Sequence, residues 1–332
     1  MDIKWLSVFR ESFLKGIYMK LIAPDYYEKF VCIADRCKHS CCIGWEIDID
    51  EETLADYQSV EGAFGERLRA GIEIREDGAC FRLGENERCP FLNENGLCDI
   101  ILNIGEERLS QICTDHPRFC SFYGDRTEIG LGLCCEEAGR IVLSQKEKTK
   151  LVVLQDDGED DDLTAEEEAL LCERENIFAI VQDRSMNVSA RIRALCEKFD
   201  IAIPHRSFEE WIDTFLSLEI MDGAWKTLLC EAKEIGFLQE GDSSFEIAWE
   251  QLLLYFIYRH VSDPERDVRE KIFFSVLGVS VIRSLFAYIC KRDGKSEFDA
   301  LVELCRLYSS EIEYSEENTE ILTAMMEQGE TV

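Results

Sequence analysis

Eleven of the sixteen cysteines fall between Cys32 and Cys135, beginning with a tight group at Cys32, Cys37, Cys41 and Cys42. The others in this stretch are Cys80, Cys89, Cys98, Cys113, Cys120, Cys134 and Cys135, mostly in segments rich in Gly, Asn and Pro that read as turns. Thiols at this density on turns predict a ligand set rather than a packing pattern. Disulfides are the competing explanation, and compartment and size decide between the two. Met1 to Lys20 carries charges throughout and has no continuous apolar run or small-residue cleavage site, which predicts a reducing, cytoplasmic setting. A chain of 332 residues can also bury a core without covalent staples. Adjacent cysteines such as Cys41 and Cys42 poorly suit disulfide geometry with one another. Metal or iron–sulfur ligation is therefore the expectation.

Length favours two domains. Composition fits a globular protein, with 46% hydrophobic residues, and the formal net charge is −32. A surface this acidic repels phosphate backbones, which argues against nucleic acid, and it favours cationic partners such as lysine-bearing segments. The longest apolar run, Ile272 to Ile282, is too short to span a bilayer and is followed by Arg283, so it is expected to be a core helix.

The pattern along the chain predicts an α+β, mostly helical protein. Residues 1–18 read as a helical extension, 19–154 as a cysteine-rich α+β cluster domain, 155–162 as an acidic linker, and 163–332 as an all-α helical domain. In the cysteine-rich part, Trp45, Ile47 and Ile49 alternate with acids as a strand does, and 51–68 reads as one amphipathic helix. Short strands are expected at 79–83 and 90–92, with a turn at Asn93-Glu94-Asn95-Gly96 between Cys89 and Cys98. A helix is expected over 99–111, a strand over 127–133 and a helix over 136–143. Helical periodicity continues at 163–183, 186–199, 208–218, 223–234, 245–261, 265–293 and 297–309, with no solenoid repeat.

Spacing narrows the metal chemistry. Structural zinc prefers C-x2-C or C-x4-C pairs, which Cys37 to Cys41 with Cys89 to Cys98 fits imperfectly, so zinc is the runner-up. A radical C-x3-C-x2-C motif fails at Gly44. Iron–sulfur clusters accept more varied spacing. His39, inside the cysteine group, is the histidine with a claim to touch a metal, whereas His116 is read as a turn residue and His205 and His260 as surface or interface residues. Cys172, Cys196, Cys230, Cys290 and Cys305 are assigned to packing. Gly130-Leu131-Gly132 lacks the third glycine of a dinucleotide fingerprint, and no P-loop or G-x-S-x-G elbow is present.

Several stretches within 19–143 resemble the flagellin lysine N-methylase family, FliB, and more remotely the YkgJ-type cysteine-cluster family. They are Ala23-Pro24-Asp25-Tyr26-Tyr27 with Phe30 and Cys32; Cys37 with Cys41-Cys42 and Gly44-Trp45; and Cys89-Pro90-Phe91-Leu92 with Gly96-Leu97-Cys98-Asp99-Ile100. To these are added Leu109-Ser110 with Cys113 and Pro117-Arg118, and Cys135 with Glu137-Ala138 and Arg140; Tyr255, Tyr258 and Arg259 look like the family's aromatic and basic helix. The resemblance implies methyl transfer from S-adenosylmethionine to lysine ε-amines of flagellin or another lysine-bearing protein, in a protein carrying a four-iron four-sulfur cluster. It nominates Cys37, Cys41, Cys42, Cys89, Cys98, Cys113 and Cys135 as the pool of metal ligands, with Cys120 and Cys134 the weakest candidates. Under it, Trp45, Tyr255 and Tyr258 face the sulfonium or the lysine chain; Arg118, Arg140 and Arg259 hold the cofactor; and Asp115 or Glu137 receives the lysine. Core packing explains the same aromatics, and structural salt bridges the same charges.

Overall fold

The computed structural model describes residues 20–76, 78–156, 158, 162–203, 206–235 and 245–326. The helix expected over 1–18 and His205 lie outside the described residues. The fold is α+β and mostly helical, and it divides into two compact units, one containing Val31–Arg118 and the other containing Met19–Phe30 with Phe119–Val332. The acidic stretch at 155–162, expected as the boundary, falls inside the second unit. Strand β1 (Lys20–Pro24) pairs with strands from beyond residue 118 and so draws the segment up to Phe30 into the second unit.

The first unit holds a three-stranded antiparallel sheet. Its strands are β2 (Asp48–Ile49), β3 (Ile72–Ile74) and β4 (Ala79–Phe81), in the order β2-β4-β3. The expected 45–50 strand shrinks to two residues because Gly44 turns the chain at φ +92° and the Trp45 indole bonds back to the Cys41 carbonyl at 2.6 Å. The helix expected over 51–68 is two, α1 (Glu51–Ser59) and α2 (Gly62–Ala70). Val60 and Glu61 are extended between them, and Gly65 packs so closely on the Val60 carbonyl that no side chain fits there. The 99–111 helix likewise breaks at Gly105, at φ +102°, leaving α3 (Asp99–Ile104) and α4 (Gln111–Asp115). Residues 90–92 form no strand beyond a single bridge between Leu92 and Cys98. The core gathers Ile47, Tyr57, Leu68, Phe81, Phe91 and Ile100, with the Phe81 and Phe91 rings edge to face at 4.9 Å.

In the second unit a four-stranded sheet runs β5-β6-β1-β7, adding β5 (Arg118–Tyr123), β6 (Arg126–Leu131) and β7 (Leu151–Gln155). β1 lies parallel to β6 and antiparallel to β7. Helix α5 (Glu136–Leu143) appears as expected, and the rest of the unit is helical: α6 (Ala165–Val181), α7 (Val188–Lys198), α8 (Phe208–Ser217), α9 (Gly223–Ile235), α10 (Glu246–His260), α11 (Val268–Asp293), α12 (Phe298–Tyr308) and α13 (Glu316–Ala324). Capping boxes at Thr164/Glu167 and Ser207/Glu210 start α6 and α8, and Gly294 in the left-handed region ends α11. α11 is long and apolar enough to cross a membrane, but 78% of its apolar window is buried inside the protein, where it packs on α10 and α12 as a core helix.

Candidate functional site

Backbone pairing in the first unit brings thiols together. Ile43 bridges Arg88, and the Cys89 amide donates to the Cys42 carbonyl at 2.9 Å, which sets Cys42 beside Cys89. The turn expected at 93–96 is present: the Asn93 side chain accepts from the Asn95 and Leu97 amides, Gly96 takes φ +74°, and Leu92 bridges Cys98. Cys98 then stands at the N-terminus of α3 with its sulfur toward the Ile101 and Ile100 amides. Asp50 caps α1 through Thr53 and also accepts from the Gln111 amide at 2.9 Å, tying down the start of α4, which carries Cys113. Cys42, Cys98 and Cys113 all pack against the core that includes Cys89.

These four thiols lie within electrostatic reach of one another. Burial pushes Cys89 and Cys113 up to about 12 and also raises Cys98, against amide donors at Cys89 and Cys98. Cys42 is brought down to about 7, chiefly by its hydrogen bond with Cys41, against burial and with help from Ser40 and Arg88. An apolar setting disfavours several thiolates together unless a cation compensates them, and metal binding displaces the thiol protons. The donor set therefore fits a soft, thiolate-bound group. Among the described residues, no group of three or more His, Cys, Asp or Glu side chains is arranged to hold a single metal ion.

The remaining nominated ligands are spread more widely. Cys41 is exposed and touches Cys42, Cys37 follows the turn 34–36, and Cys135 belongs to the second unit at the N-terminus of α5. All sixteen cysteines are free thiols. Of the five assigned to packing only Cys305 is buried; Cys172 and Cys230 are exposed and Cys196 and Cys290 half-buried, because single positions on a helix face carry no reliable burial signal.

The other nominated residues of the first unit have local partners. Trp45 holds the Cys41 carbonyl and lies 6.1 Å from the His116 ring, Asp115 accepts from Gln111 at 2.7 Å, and Arg118 donates to the Thr114 carbonyl at 3.1 Å. Burial raises the Asp115 carboxyl, against the Gln111 hydrogen bond and the Arg118 charge.

In the second unit, Glu137 and Arg140 pair with each other at 3.3 Å, and Arg140 also engages Glu136 and Asp299. Tyr258 is buried, donates to the Ile129 carbonyl at 3.1 Å and lies under the Arg174 guanidinium, which pairs with Glu128.

Tyr255 and Arg259, one turn apart on α10, meet Glu313. The Tyr255 hydroxyl accepts from Arg259 Nη1 at 2.8 Å and from the Leu133 amide at 3.2 Å, and donates to the Glu313 carboxylate at 3.1 Å. Glu313 ends a π-helical turn, Ser309–Glu313, and its side chain is fully buried. Insertions of this kind re-aim side chains and recur at functional sites. Burial acts to raise the Glu313 carboxyl, but Arg259 and His260 outweigh it and hold it below the usual carboxylate range. His260, expected at the surface or an interface, is mostly buried: it bonds Glu313 at 2.8 Å and packs on Phe274, and burial lowers its pKa against the Glu313 contact. The Phe119 and Tyr314 rings lie 5.1 and 4.7 Å from the Arg259 guanidinium, and the Tyr314 hydroxyl reaches Cys134. Arg259 Nη2 makes no hydrogen bond among the described residues. Sequence reasoning missed Glu313, His260 and Tyr314, because the π-helical turn that gathers them has no spacing signature. A small pocket lined by Tyr26, Leu254, Tyr255 and Tyr258 has room for about one water.

Residues 231–332, which contain α10 and the Glu313 turn, match the sequence model of the FliB lysine N-methylase C-terminal domain. Over part of its length the chain is similar to the FliB lysine N-methylases. The lysine-N-methylase of Salmonella typhimurium is 25% identical over 134 residues, 39% of this chain and 33% of that protein. The flagellar biosynthetic protein FliU of Salmonella muenchen is 26% identical over 134 residues, 39% of this chain and 79% of FliU. The match thus spans about a third of the lysine-N-methylase. No solved structure matches. Tyr255, Arg259, His260, Glu313 and Tyr314 all lie within the FliB C-terminal domain match.

Proposed function

We propose that this chain transfers the methyl group of S-adenosylmethionine to lysine ε-amines of flagellin or another lysine-bearing protein. The observation that carries the reading is the FliB C-terminal domain match, which contains the buried Tyr255–Arg259–Glu313 network. The neutral lysine nitrogen attacks the sulfonium methyl in line. A C–N bond forms as the C–S bond breaks, its electron pair stays on sulfur to leave S-adenosylhomocysteine, and the nitrogen gives a proton to solvent. Alignment dominates such a displacement. Among the arginines nominated for the cofactor, Arg259 suits its carboxylate best, because Glu313 and Tyr255 fix the guanidinium while Nη2 makes no hydrogen bond among the described residues. Arg140 is engaged by three carboxylates and Arg118 by backbone carbonyls.

Cys42, Cys89, Cys98 and Cys113 would hold an iron–sulfur group, with zinc as the alternative occupant, and Cys41 and Cys37 stand next in reach along the chain. That group would supply a compact positive centre to compensate thiolates in an apolar setting and so cross-link the turns that carry them. Methyl transfer by displacement needs no electrons from it.

The test is incubation of anaerobically purified protein with methyl-labelled S-adenosylmethionine and flagellin, with iron, sulfide and zinc measured on the same sample. Label on flagellin lysines is expected. A metal-loaded protein that labels no lysine overturns the methylase reading and favours a second one, a non-enzymatic metal-binding or interaction protein, to which the four neighbouring thiols alone would point.

A further inference from the structure

Two buried hydroxyls beside these thiols have no well-formed acceptor among the described residues: Ser110 Oγ and Tyr57 Oη, which the Ser110 amide approaches as a donor. Both residues are fully buried. The Tyr57 ring is stacked on Phe81 at 6.1 Å and 22°, so packing fixes where its hydroxyl points, and that hydroxyl is within electrostatic reach of Cys113 and Cys98. Ser110 precedes α4 in the N-cap position, where serine ordinarily accepts an amide of the first turn. Here it makes no such cap; its hydroxyl faces the Cys113 thiol without completing a well-formed bond. A native fold rarely leaves a buried donor orphaned, and two at one place ask for an acceptor that appears only in another state.

Thiolate sulfur is that acceptor. A protonated thiol accepts weakly, whereas a metal-bound thiolate carries the charge that makes a hydroxyl bond worthwhile. We propose that Tyr57 and Ser110 are positioning residues that donate hydrogen bonds to the metal-bound sulfurs of Cys98 and Cys113, and thereby hold the thiolate-bound group in place. This inference rests on the metal reading of Cys42, Cys89, Cys98 and Cys113. Outer partners of metal ligands orient those ligands and strengthen metal retention.

The test compares wild type, Tyr57→Phe and Ser110→Ala after anaerobic reconstitution with iron and sulfide, with Ser59→Ala, an exposed hydroxyl that bonds the Asp56 carbonyl, as control. The readouts are metal loss to a colorimetric chelator and the melting temperature of the metal-free chain. Both substitutions are expected to speed metal loss about 10- to 100-fold, while Ser59→Ala matches wild type. Without metal the order changes: deleting a buried hydroxyl that completes no well-formed bond leaves stability equal or higher, so Ser110→Ala melts at or above wild type. Loss rates equal to wild type in both variants overturn the inference alone. A metal-free Ser110→Ala chain that melts lower, or fails to fold, also overturns it, because the hydroxyl then has a partner in the fold itself. A wild type that takes up neither iron nor zinc overturns the metal reading together with this inference.

Discussion

His116 lies half-buried 6.1 Å from the Trp45 ring, and burial, aided by the neighbouring Arg118 charge, lowers its pKa to about 4. In the unfolded chain the same imidazole titrates near 6.5. Between those values the unfolded state binds a proton that the folded state refuses, so stability is fully present above about pH 6.5 and is lost as pH falls toward 4. The loss is of order 2 kcal/mol once partial exposure is discounted. His116→Gln is expected to flatten that part of the stability curve relative to wild type in urea denaturation at pH 7 and pH 4.5; parallel curves would refute the assignment. The same scale separates the arginines. Arg140 forms a half-exposed ion-pair network of the kind that contributes little, whereas Arg259 holds a fully buried Glu313, whose charge would be left uncompensated without it.

The β5–β6 hairpin sets the floor under Arg259. A Cβ added at Gly130 would lie 2.3 Å from Phe119 Cζ, and the Phe119 ring in turn lies 5.1 Å from the Arg259 guanidinium. Gly130→Ala is therefore expected to displace that ring and destabilise the fold by about 1 to 3 kcal/mol. Adding Phe119→Leu should recover part of the loss, and additive effects in a double-mutant cycle would sink the argument. Elements of this kind mark the limit of what the residues reveal in order. α5 and the core helix α11 were legible because apolar periodicity over two or more turns determines a buried face. The Asn93–Gly96 turn was legible because Asn and Gly carry its chemistry locally. The breaks at Val60 and Gly105 were not, since tertiary packing on Gly65 and a left-handed glycine outvote helix propensity. Strands β1, β5 and β7 were missed for a related reason: β1 pairs with partners roughly a hundred residues away, which local alternation does not encode. At the site, Tyr255 and Arg259 were visible as residue types, but Glu313 joins them only through a π-helical turn.

At the scale of the whole molecule, a net charge of −32 favours cationic protein segments over polyanions, which suits a lysine-bearing partner. The seven nominated ligand cysteines divide between the compact units, six in Val31–Arg118 and Cys135 in the other. If the four thiols that sense one another hold the metal, its binding free energy contributes to the stability of the first unit, because metal affinity for a folded site is folding free energy. That unit has a small core, and short segments with modest burial gain most from such a tie. Hydrogen exchange of metal-loaded protein, with and without chelator, distinguishes the possibilities. Chelation is expected to raise exchange at least tenfold in α1, α3, α4 and β4, while the amides of α5, α10 and α11 keep their protection. Loss of protection at the start of α5 on chelation would instead place Cys135 among the ligands, and unchanged exchange in α3 and α4 would remove Cys98 and Cys113 from the set.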